Sequence, residues 1–268
     1  MKRIVWMIGL LCLSVAAVAW TEQTWGSGRP LFGQASDLVR SVPGVSPRPE
    51  TVMAIGGSVA YGWVDPKGGG YLARAFATMQ QKTGRVFHFV NKAIVGANST
   101  QLNITLYKGR YTSWLSQVKP QVTVISWGLL NDCLPNTPLP RFESTIRGEI
   151  QKALDRHSVV LMVTPPVTKA SYTQYLEKEP VYVNSEVYVA DSFDSPNVVT
   201  FDLFDQMKAY IAAHNLNYMQ FQTDGWHPNA AGHTLAGKIL AQDMLRRYGD
   251  GPIRFRSATD SAARAQVQ

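Results

Sequence analysis

The sequence predicts an α/β domain with a parallel sheet, and two features of the chain carry this prediction. Five short apolar runs, rich in β-branched residues, alternate with longer stretches whose apolar residues recur at helical spacing. Each interval is long enough for the crossover helix that two parallel strands need between them. Right-handed crossovers then place helices on both faces of the sheet. Because no repeat and no second apolar core interrupts the pattern, we expect one domain.

The predicted strands are residues 52–55, 86–94, 121–127, 158–164 and 197–203. The predicted helices are residues 71–82, 99–118, 140–155, 204–214 and 229–248, with a further short helix near 35–42. Residues 167–196 match neither the strand period nor the helix period, and they carry Tyr172, Tyr175, Tyr182 and Tyr188. The length of this stretch predicts a helix and a flap, and we expect residues 172–188 to cover the functional site.

The first residues have the pattern of a secretory signal. Lys2 and Arg3 precede an apolar run over residues 4–18, and Ala17-Val18-Ala19 offers the small residues that a signal peptidase requires. The run is short for a comfortable membrane span, although an uncleaved N-terminal anchor is the alternative. Either way the body of the protein is expected outside the cytoplasmic membrane, secreted or tethered to its outer face. The predicted organisation is a leader (1–19), a Gly/Pro/Ser-rich linker or surface segment (20–49), the domain (50–248) and a flexible tail (249–268).

The charge pattern argues against a nucleic-acid-binding protein, and the cysteine count argues against a domain stabilised by internal disulfides. The net charge is +7, but the basic residues are scattered and no nucleic-acid motif accompanies them. A modest positive field favours anionic cell-wall polymers or membrane surfaces, unless it is merely a soluble basic surface. Cys12 lies in the leader, so a processed chain keeps Cys133 and cannot form an internal disulfide. Cys133 follows Asn131-Asp132 and is either a catalytic thiol or a small apolar packing residue.

The first predicted strand ends in Ile55-Gly56-Gly57-Ser58, which delivers a serine hydroxyl with little bulk around it. In an open parallel sheet this carboxyl edge is where ligands and catalytic groups collect. The alternative is an ordinary tight glycine turn. A serine hydroxyl needs a neighbouring base before it becomes a good nucleophile, so the rest of the chain decides between the two.

The best candidate for that base is His227, in the run Asp224-Gly225-Trp226-His227 ahead of the last predicted helix. At this spacing one turn can bring the Asp224 carboxylate to the Nδ1–H of the imidazole, which leaves Nε2 free to accept a proton. Taken alone, the same pattern can also be an ordinary turn that begins a helix. An acyl-transfer site also needs donors for an oxyanion, and three candidates are the amides of Ser58 and Gly96 and the side chain of Asn131. Gly96 could equally be a turn glycine, and Asn131 could cap a turn.

Four runs together resemble the signature blocks of the SGNH/GDSL hydrolase superfamily, in the same order along the chain. They are Gly56-Gly57-Ser58, Gly96, Gly128-Leu129-Leu130-Asn131-Asp132 and Asp224-Gly225-Trp226-His227-Pro228-Asn229. The resemblance covers about residues 52–248. It implies a three-layer α/β/α, flavodoxin-like fold with a five-stranded parallel sheet, and a Ser-His-Asp esterase mechanism that needs no metal or cofactor. It also implies that Ser58 is the nucleophile, that His227 is the base oriented by Asp224, and that Ser58, Gly96 and Asn131 form the oxyanion hole.

The first block departs from the usual pattern, because Gly57 stands where these proteins commonly have an aspartate. This puts the local hydrogen bonding and the rate in question more than the activity. A nucleophile elbow of the Gly-x-Ser-x-Gly kind does not fit, since position 60 is alanine. His233, shortly after His227, could line the site, and His88 is expected on a strand face. No closely spaced His/Cys/Asp set of metal-ligand type is visible.

The expected function is a secreted serine hydrolase that acts on a small-molecule, lipid or acylated-carbohydrate ester, as a carboxylesterase, a lipase-like enzyme or a carbohydrate O-deacetylase. An acyltransferase acting on a cell-envelope glycan would use the same triad with a sugar hydroxyl in place of water. A non-catalytic glycan- or wall-binding module is the third possibility, for which Gly57 is the one hint. We expect the pocket walls to come from Trp63, Trp127, Trp226 and the tyrosine-bearing stretch.

Overall fold

The computed structural model describes residues 48–103 and 109–257. The predicted leader, the linker up to residue 47 and the short helix near 35–42 lie outside these described residues, as do the last residues of the tail. None of the helices in the described part of the chain combines the length and the hydropathy that a bilayer crossing demands.

The sheet has five parallel strands in the order β2-β1-β3-β4-β5. They are β1 (Glu50–Gly56), β2 (Phe87–Asn91), β3 (Val122–Ser126), β4 (Val159–Val163) and β5 (Val198–Phe201). Every residue of β3 and β4 is buried, as expected for central strands with both faces covered, and this is why β4 is a continuous apolar run and β3 carries only Thr123 and Ser126 as polar residues. The predicted parallel α/β fold is therefore confirmed, with the strand order of the flavodoxin-like folds.

The helices form two layers. They are α1 (Ser58–Tyr61), α2 (Gly70–Thr83), α3 (Arg110–Val118), α4 (Leu130–Cys133), α5 (Leu139–Leu154), α6 (Lys169–Tyr172), α7 (Glu179–Asp191), α8 (Leu203–Ala213) and α9 (Ala230–Tyr248), with 3₁₀ turns at Ser99–Asn103 and Tyr218–Phe221. Because the strand order reverses direction at β1, right-handed crossovers put α2 on one face and α3, α5 and α7 on the other. Helix α9 packs closely along α2, and α8 packs against α9.

The predicted continuous helix over residues 99–118 is wrong. The chain forms the 3₁₀ turn Ser99–Asn103, and α3 begins separately at Arg110. Gly109 has φ 79°, a left-handed conformation that a right-handed helix cannot pass through. Residues 104–108 lie outside the described part of the chain.

The flap predicted within residues 172–188 is also wrong. Most of this stretch forms α7, which packs against α5 and β5 as a layer helix. Tyr175 and Tyr182 are buried, and the Tyr182 hydroxyl donates to the Thr137 carbonyl at 2.6 Å. The period was hidden because Glu179 and Glu186 occupy positions of α7 that face the interior, where an amphipathic pattern requires apolar residues.

The first part of the tail is packed, although we predicted it to be loose from residue 249 onward. Ile253 is buried, and its amide donates to the Glu50 carboxylate at 3.0 Å. The backbone of Arg256 forms two hydrogen bonds with the Asn197 side chain, at 2.7 and 2.9 Å. These contacts fix the described tail residues beside the starts of β1 and β5. The sequence did not predict this packing, because a single buried isoleucine in a polar stretch gives no periodic signal.

Four acidic side chains are buried around α4, α5 and α7: Asp132, Glu149, Glu179 and Glu186. Burial raises the pKa of Glu149 to about 8, against the hydrogen bond that the Trp127 indole N–H donates at 2.9 Å. Burial likewise raises the pKa of Glu179 to about 7 and raises the pKa of Glu186 well above its ordinary value. Both carboxyl oxygens of Glu186 lie without a hydrogen-bond partner. This layer is therefore suited to neutral carboxylic acids rather than carboxylates.

We expect the folded state to lose stability as the pH rises through the pKa of these acids. A carboxyl group whose pKa is raised by folding holds its proton more tightly when folded, so its contribution is complete below about pH 4.5 and is lost towards about pH 8. Glu149→Gln mimics the neutral acid, and its carbonyl can still accept from Trp127. Urea unfolding of this variant should match wild type near pH 5 and show a higher free energy of unfolding near pH 9.

The exposed Glu177→Gln serves as the control and should follow wild type at both pH values. If the stability of Glu149→Gln varies with pH as steeply as that of wild type, Glu149 is not the group that loses its proton.

Candidate active site

Ser58 begins α1 directly after β1, and it is buried to 6% exposure. Gly56 allows this placement, because a Cβ there would lie 1.9 Å from the Ser126 carbonyl oxygen at the end of the neighbouring β3. No residue with a side chain fits at that position. Ser58 therefore lies where the ends of β1 and β3 approach each other closely.

This point is also where the sheet reverses its strand order. Chain connections run from β1 to β2 on one side and on to β3 on the other, so a crevice forms outside the carboxyl ends of β1 and β3. Ser58 follows the first of these strands, and Asn131 follows the second within α4. Open parallel sheets bind their ligands in this position.

Ser58, His227 and Asp224 form a continuous hydrogen-bonded chain. The Ser58 Oγ lies 2.9 Å from Nε2 of His227, and Nδ1 of the same ring lies 2.7 Å from Oδ2 of Asp224. Oδ1 of Asp224 accepts the backbone amides of Trp226 and His227, each at 2.9 Å. With Nδ1 donating to the carboxylate, Nε2 is the acceptor for the serine proton.

Asp224 is held in its charged form. Partial burial opposes ionisation, but the hydrogen bond from the His227 ring, the amides of Trp226 and His227, and the charge interaction with His227 outweigh it and lower the pKa of Asp224. A carboxylate in this position stabilises an imidazolium when the ring takes up a proton.

The turn that carries His227 is closed at its base. Gln222 and Pro228 form an isolated antiparallel bridge, and the Thr223 amide donates to the His227 carbonyl at 2.9 Å. Asn229 then caps α9, with its Oδ1 accepting the Gly232 amide at 2.9 Å. The imidazole is thus fixed to the start of the longest described helix.

Asn131 lies beside Gly57, the residue before the predicted nucleophile, with its side-chain amide donating to the Ala97 carbonyl at 3.0 Å. A Cβ at Gly57 would lie 3.1 Å from this carbonyl and 3.8 Å from both Asn131 Nδ2 and the Gly128 nitrogen. The loop after β2 therefore reaches Gly57, and Gly96 in the same loop is exposed, with φ 79° and open space around it. A side chain at position 57 would therefore crowd the Ala97 carbonyl and lie against Gly128 and Asn131.

The sequence matches the GDSL-like Lipase/Acylhydrolase family over residues 54–235, which includes the serine, the asparagine and the Asp-x-x-His turn. The chain belongs to this family. It is therefore a serine ester hydrolase with the fold that the resemblance implied. None of the curated proteins matches the sequence.

Solved structures agree on the fold of the hydrolase. A catalytic mutant of Axe2, an acetylxylan esterase from Geobacillus stearothermophilus, is 20% identical and covers 80% of this chain and 99% of its own, with a TM-score of 0.59. TesA is 18% identical and covers 74% of this chain and 99% of its own, with a TM-score of 0.56. The psychrotrophic esterase EstA from Pseudoalteromonas sp. is 16% identical and covers 74% and 98%, also with a TM-score of 0.56.

His233 of the hydrolase is a buried link rather than a residue lining the site. Its Nδ1 accepts the Tyr71 amide at 3.3 Å, so Nε2 carries the proton that it donates to the Trp63 carbonyl at 3.3 Å. Burial lowers the pKa of His233, although the Trp63 carbonyl and the Asp65 carboxylate oppose this effect. The neutral ring ties α9 to α2 and to the turn that follows Ser58.

Two further supports of the site were missed by sequence reasoning. Asp132 accepts both the amide and the hydroxyl of Ser99, at 3.1 and 2.8 Å, and so ties α4 to the loop that carries Gly96. Asp65 receives two hydrogen bonds from Arg74, at 2.9 and 3.0 Å, and thereby closes the loop after α1. Asp132 belongs to a block that carries the family resemblance, but nothing local indicated that it bonds to Ser99, and Asp65 stands in unremarkable local sequence, so their roles could be identified only from their long-range partners.

The three tryptophans predicted to form the pocket walls lie in different environments. Trp127 is buried with its N–H on Glu149, so the prediction that it forms a pocket wall is wrong. Trp63 is exposed, and Trp226 is half-buried with its ring edge-on to Tyr175.

Cys133 is fully buried, and burial, with a smaller effect from the Glu179 charge, raises the pKa of its thiol to about 12. Among the described residues no group of three or more His, Cys, Asp or Glu side chains is arranged to hold a metal ion.

We expect Cys133 to be unreactive in the folded hydrolase, because the thiolate is the reactive form and burial disfavours it. In a Cys12→Ser background, a disulfide reagent near pH 8 should label Cys133 in urea but not in buffer. Cys133→Ala should retain esterase activity. Loss of activity without loss of folding, followed by circular dichroism, would make the thiol part of the chemistry.

Proposed function

We propose that the hydrolase cleaves carboxylic esters through a covalent acyl-enzyme on Ser58. The observation that carries this proposal is the hydrogen bond of 2.9 Å between the Ser58 hydroxyl and His227 Nε2, with Nδ1 held by Asp224. A serine placed this way can transfer its proton to the imidazole as its oxygen attacks the substrate carbonyl. The intact hydrogen-bonded chain also favours catalysis over a binding module with a decayed site.

The reaction has two halves that use the same groups. In the first, His227 takes the Ser58 proton, Asp224 stabilises the imidazolium, and the proton passes to the leaving alcohol as the ester bond breaks. In the second, His227 takes a proton from water, the hydroxide attacks the acyl-enzyme, and Ser58 recovers its proton. Because Asp224 is held as a carboxylate, it supports the imidazolium in both halves.

The oxyanion of each tetrahedral intermediate is assigned to the amides of Ser58 and Gly96 and to the Asn131 side chain. The side-chain amide of Asn131 has two hydrogens, and the bond to Ala97 uses one of them. The second hydrogen remains for the oxyanion, while Ala97 fixes the orientation of the group. Preorganised donors of this kind need no rearrangement as charge develops.

The proposed substrates are esters of small alcohols, lipids or acylated sugars. The basis is the family, together with the similarity to an acetylxylan esterase and other esterases.

Export from the cytoplasm, with the leader cleaved or kept as an anchor, is proposed from the pattern of residues 1–19. Mass spectrometry of the N-terminus after expression in a secreting host tests this: a first residue at or near Trp20 supports cleavage, whereas intact intracellular protein contradicts export.

Ser58→Ala should lower kcat/KM for p-nitrophenyl acetate by at least about 10⁴-fold, because no other hydroxyl is bonded to His227 among the described residues. The variant should also lose labelling by a fluorophosphonate probe. The exposed Ser113→Ala is the matched control and should retain both. Equal rates for Ser58→Ala and wild type would remove Ser58 from the mechanism.

Asn131→Ala should lower kcat by about 10²- to 10³-fold with a small change in KM, because the donor acts on charge that develops in the transition state. Thermal unfolding checks that the loss is not a folding defect. The control is Asn184→Ala, an exposed asparagine on α7, which should keep full activity. A rise in KM at constant kcat would instead assign Asn131 to ground-state substrate binding.

A further inference from the structure

Exposed apolar side chains occur on the loops at the same sheet edge as the active site of the hydrolase. Six of them lie on the segments that leave the carboxyl ends of β1 to β4, and we call this set the apolar rim: Tyr61, Trp63, Val64, Val95, Leu134 and Leu176. Trp63 is 46% exposed and Leu134 is 64% exposed. A group of large exposed apolar side chains around a catalytic crevice marks a surface that meets a partner or a membrane.

The β1 side of the rim is displayed by a rigid loop. The Trp63 amide donates to the Ser58 carbonyl at 3.0 Å, and the Trp63 carbonyl accepts from His233 at 3.3 Å. Asp65, buried two residues later, is held by Arg74 and accepts the Gly70 amide at 3.3 Å. The backbone is tied inward on both sides of Trp63 while the indole points outward.

The same loop contains backbone strain. Val64 has φ 70°, a left-handed conformation that is unfavourable for a β-branched residue. The surrounding hydrogen bonds hold this conformation in place, and strain kept near a site is often tied to its function. The exposure of Trp63 and Val64 is therefore built into the loop rather than the result of a loose chain.

The charges on these segments are mainly positive. Lys67, Lys92, Lys169 and Lys178 lie on the loops that carry the rim and the site. Asp65 is paired with Arg74, and Asp132 is buried. Within the described part of these loops, two exposed carboxylates, Glu177 and the His227-bonded Asp224, stand against the four lysines, so the edge is positive in a chain of net charge +7.

We propose that the apolar rim docks on an anionic lipid surface, with Ser58 facing the lipid. Trp and Tyr are the side chains that prefer the boundary between head groups and acyl chains, and the valines and leucines enter the acyl region. Lysines around the rim pair with anionic head groups. Docking at this edge brings a membrane-borne ester directly to the crevice, so this inference goes beyond the proposed chemistry and does not depend on it.

The test places a fluorophore on the rim of the full-length hydrolase. An environment-sensitive dye is attached at Val64→Cys, or at Leu134→Cys as a second position, in a Cys12→Ser and Ser58→Ala background that prevents turnover. Tyr188→Cys, 66% exposed on α7 away from the rim, carries the same dye as the control. The buried Cys133 stays unlabelled. Vesicles of phosphatidylcholine with phosphatidylglycerol are compared with vesicles of phosphatidylcholine.

Docking of the rim predicts a blue shift and an intensity gain at positions 64 and 134 with the anionic vesicles, little change at 188, and a loss of the signal at high salt. Trp63→Ala should weaken vesicle binding by about tenfold, whereas Tyr188→Ala should not. Vesicle binding without a change at 64 and 134 would assign attachment to the leader and overturn the proposal. A dye response to a soluble acetylated polysaccharide but not to vesicles would overturn it in favour of a carbohydrate surface.

Discussion

The close approach of β1 and β3 at Gly56 is the constraint on which the active site depends. The Ser126 carbonyl fills the space that any side chain at position 56 would need. The Ser126 hydroxyl in turn donates to the Val163 carbonyl at 2.7 Å and is bonded to the Tyr71 hydroxyl, so the end of β3 is tied to β4 and to α2. The proposed nucleophile and the proposed oxyanion asparagine thereby share one rigid edge, and catalysis by preorganised groups requires such rigidity.

The base reaches this edge through the other helical layer. His227 lies 169 positions from Ser58 along the chain, and the contact between α2 and α9 spans that separation. Gly237 permits the close packing, since a Cβ there would lie 2.8 Å from the Arg74 Cβ and 3.0 Å from the Tyr71 carbonyl. His233 then bonds to both the Tyr71 amide and the Trp63 carbonyl. His233 thus fixes the packing of α9 against α2, and this packing holds His227, just before α9, in contact with Ser58.

The two sides of the sheet have different chemistry. The α2 and α9 side is tied by the neutral imidazole of His233, whereas the α5 and α7 side contains buried carboxylic acids whose pKa is raised by burial. Asp132 is one of these acids, yet it also fixes the loop after β2 through Ser99. The interior around α4, α5 and α7 therefore contains buried acids whose charge depends on pH, whereas the apolar rim lies at the surface.

The sequence by itself determined the strands, the parallel α/β class and the candidate residues of the site, because hydrophobic period and glycine positions are local signals. Ser58, Asn131 and the Asp224–His227 turn could be named from their places at strand ends and at a helix start, and the family supplied their expected roles. The tertiary structure decided what depends on distant partners. It broke the predicted helix at Gly109, and it turned the predicted flap into α7, whose acids have a pKa raised by burial. It also removed Trp127 from the site and made His233 a link between helices. The physical reason is common to these cases: a side chain's neighbours across the fold decide whether it is buried or exposed, and the linear pattern contains no record of those neighbours.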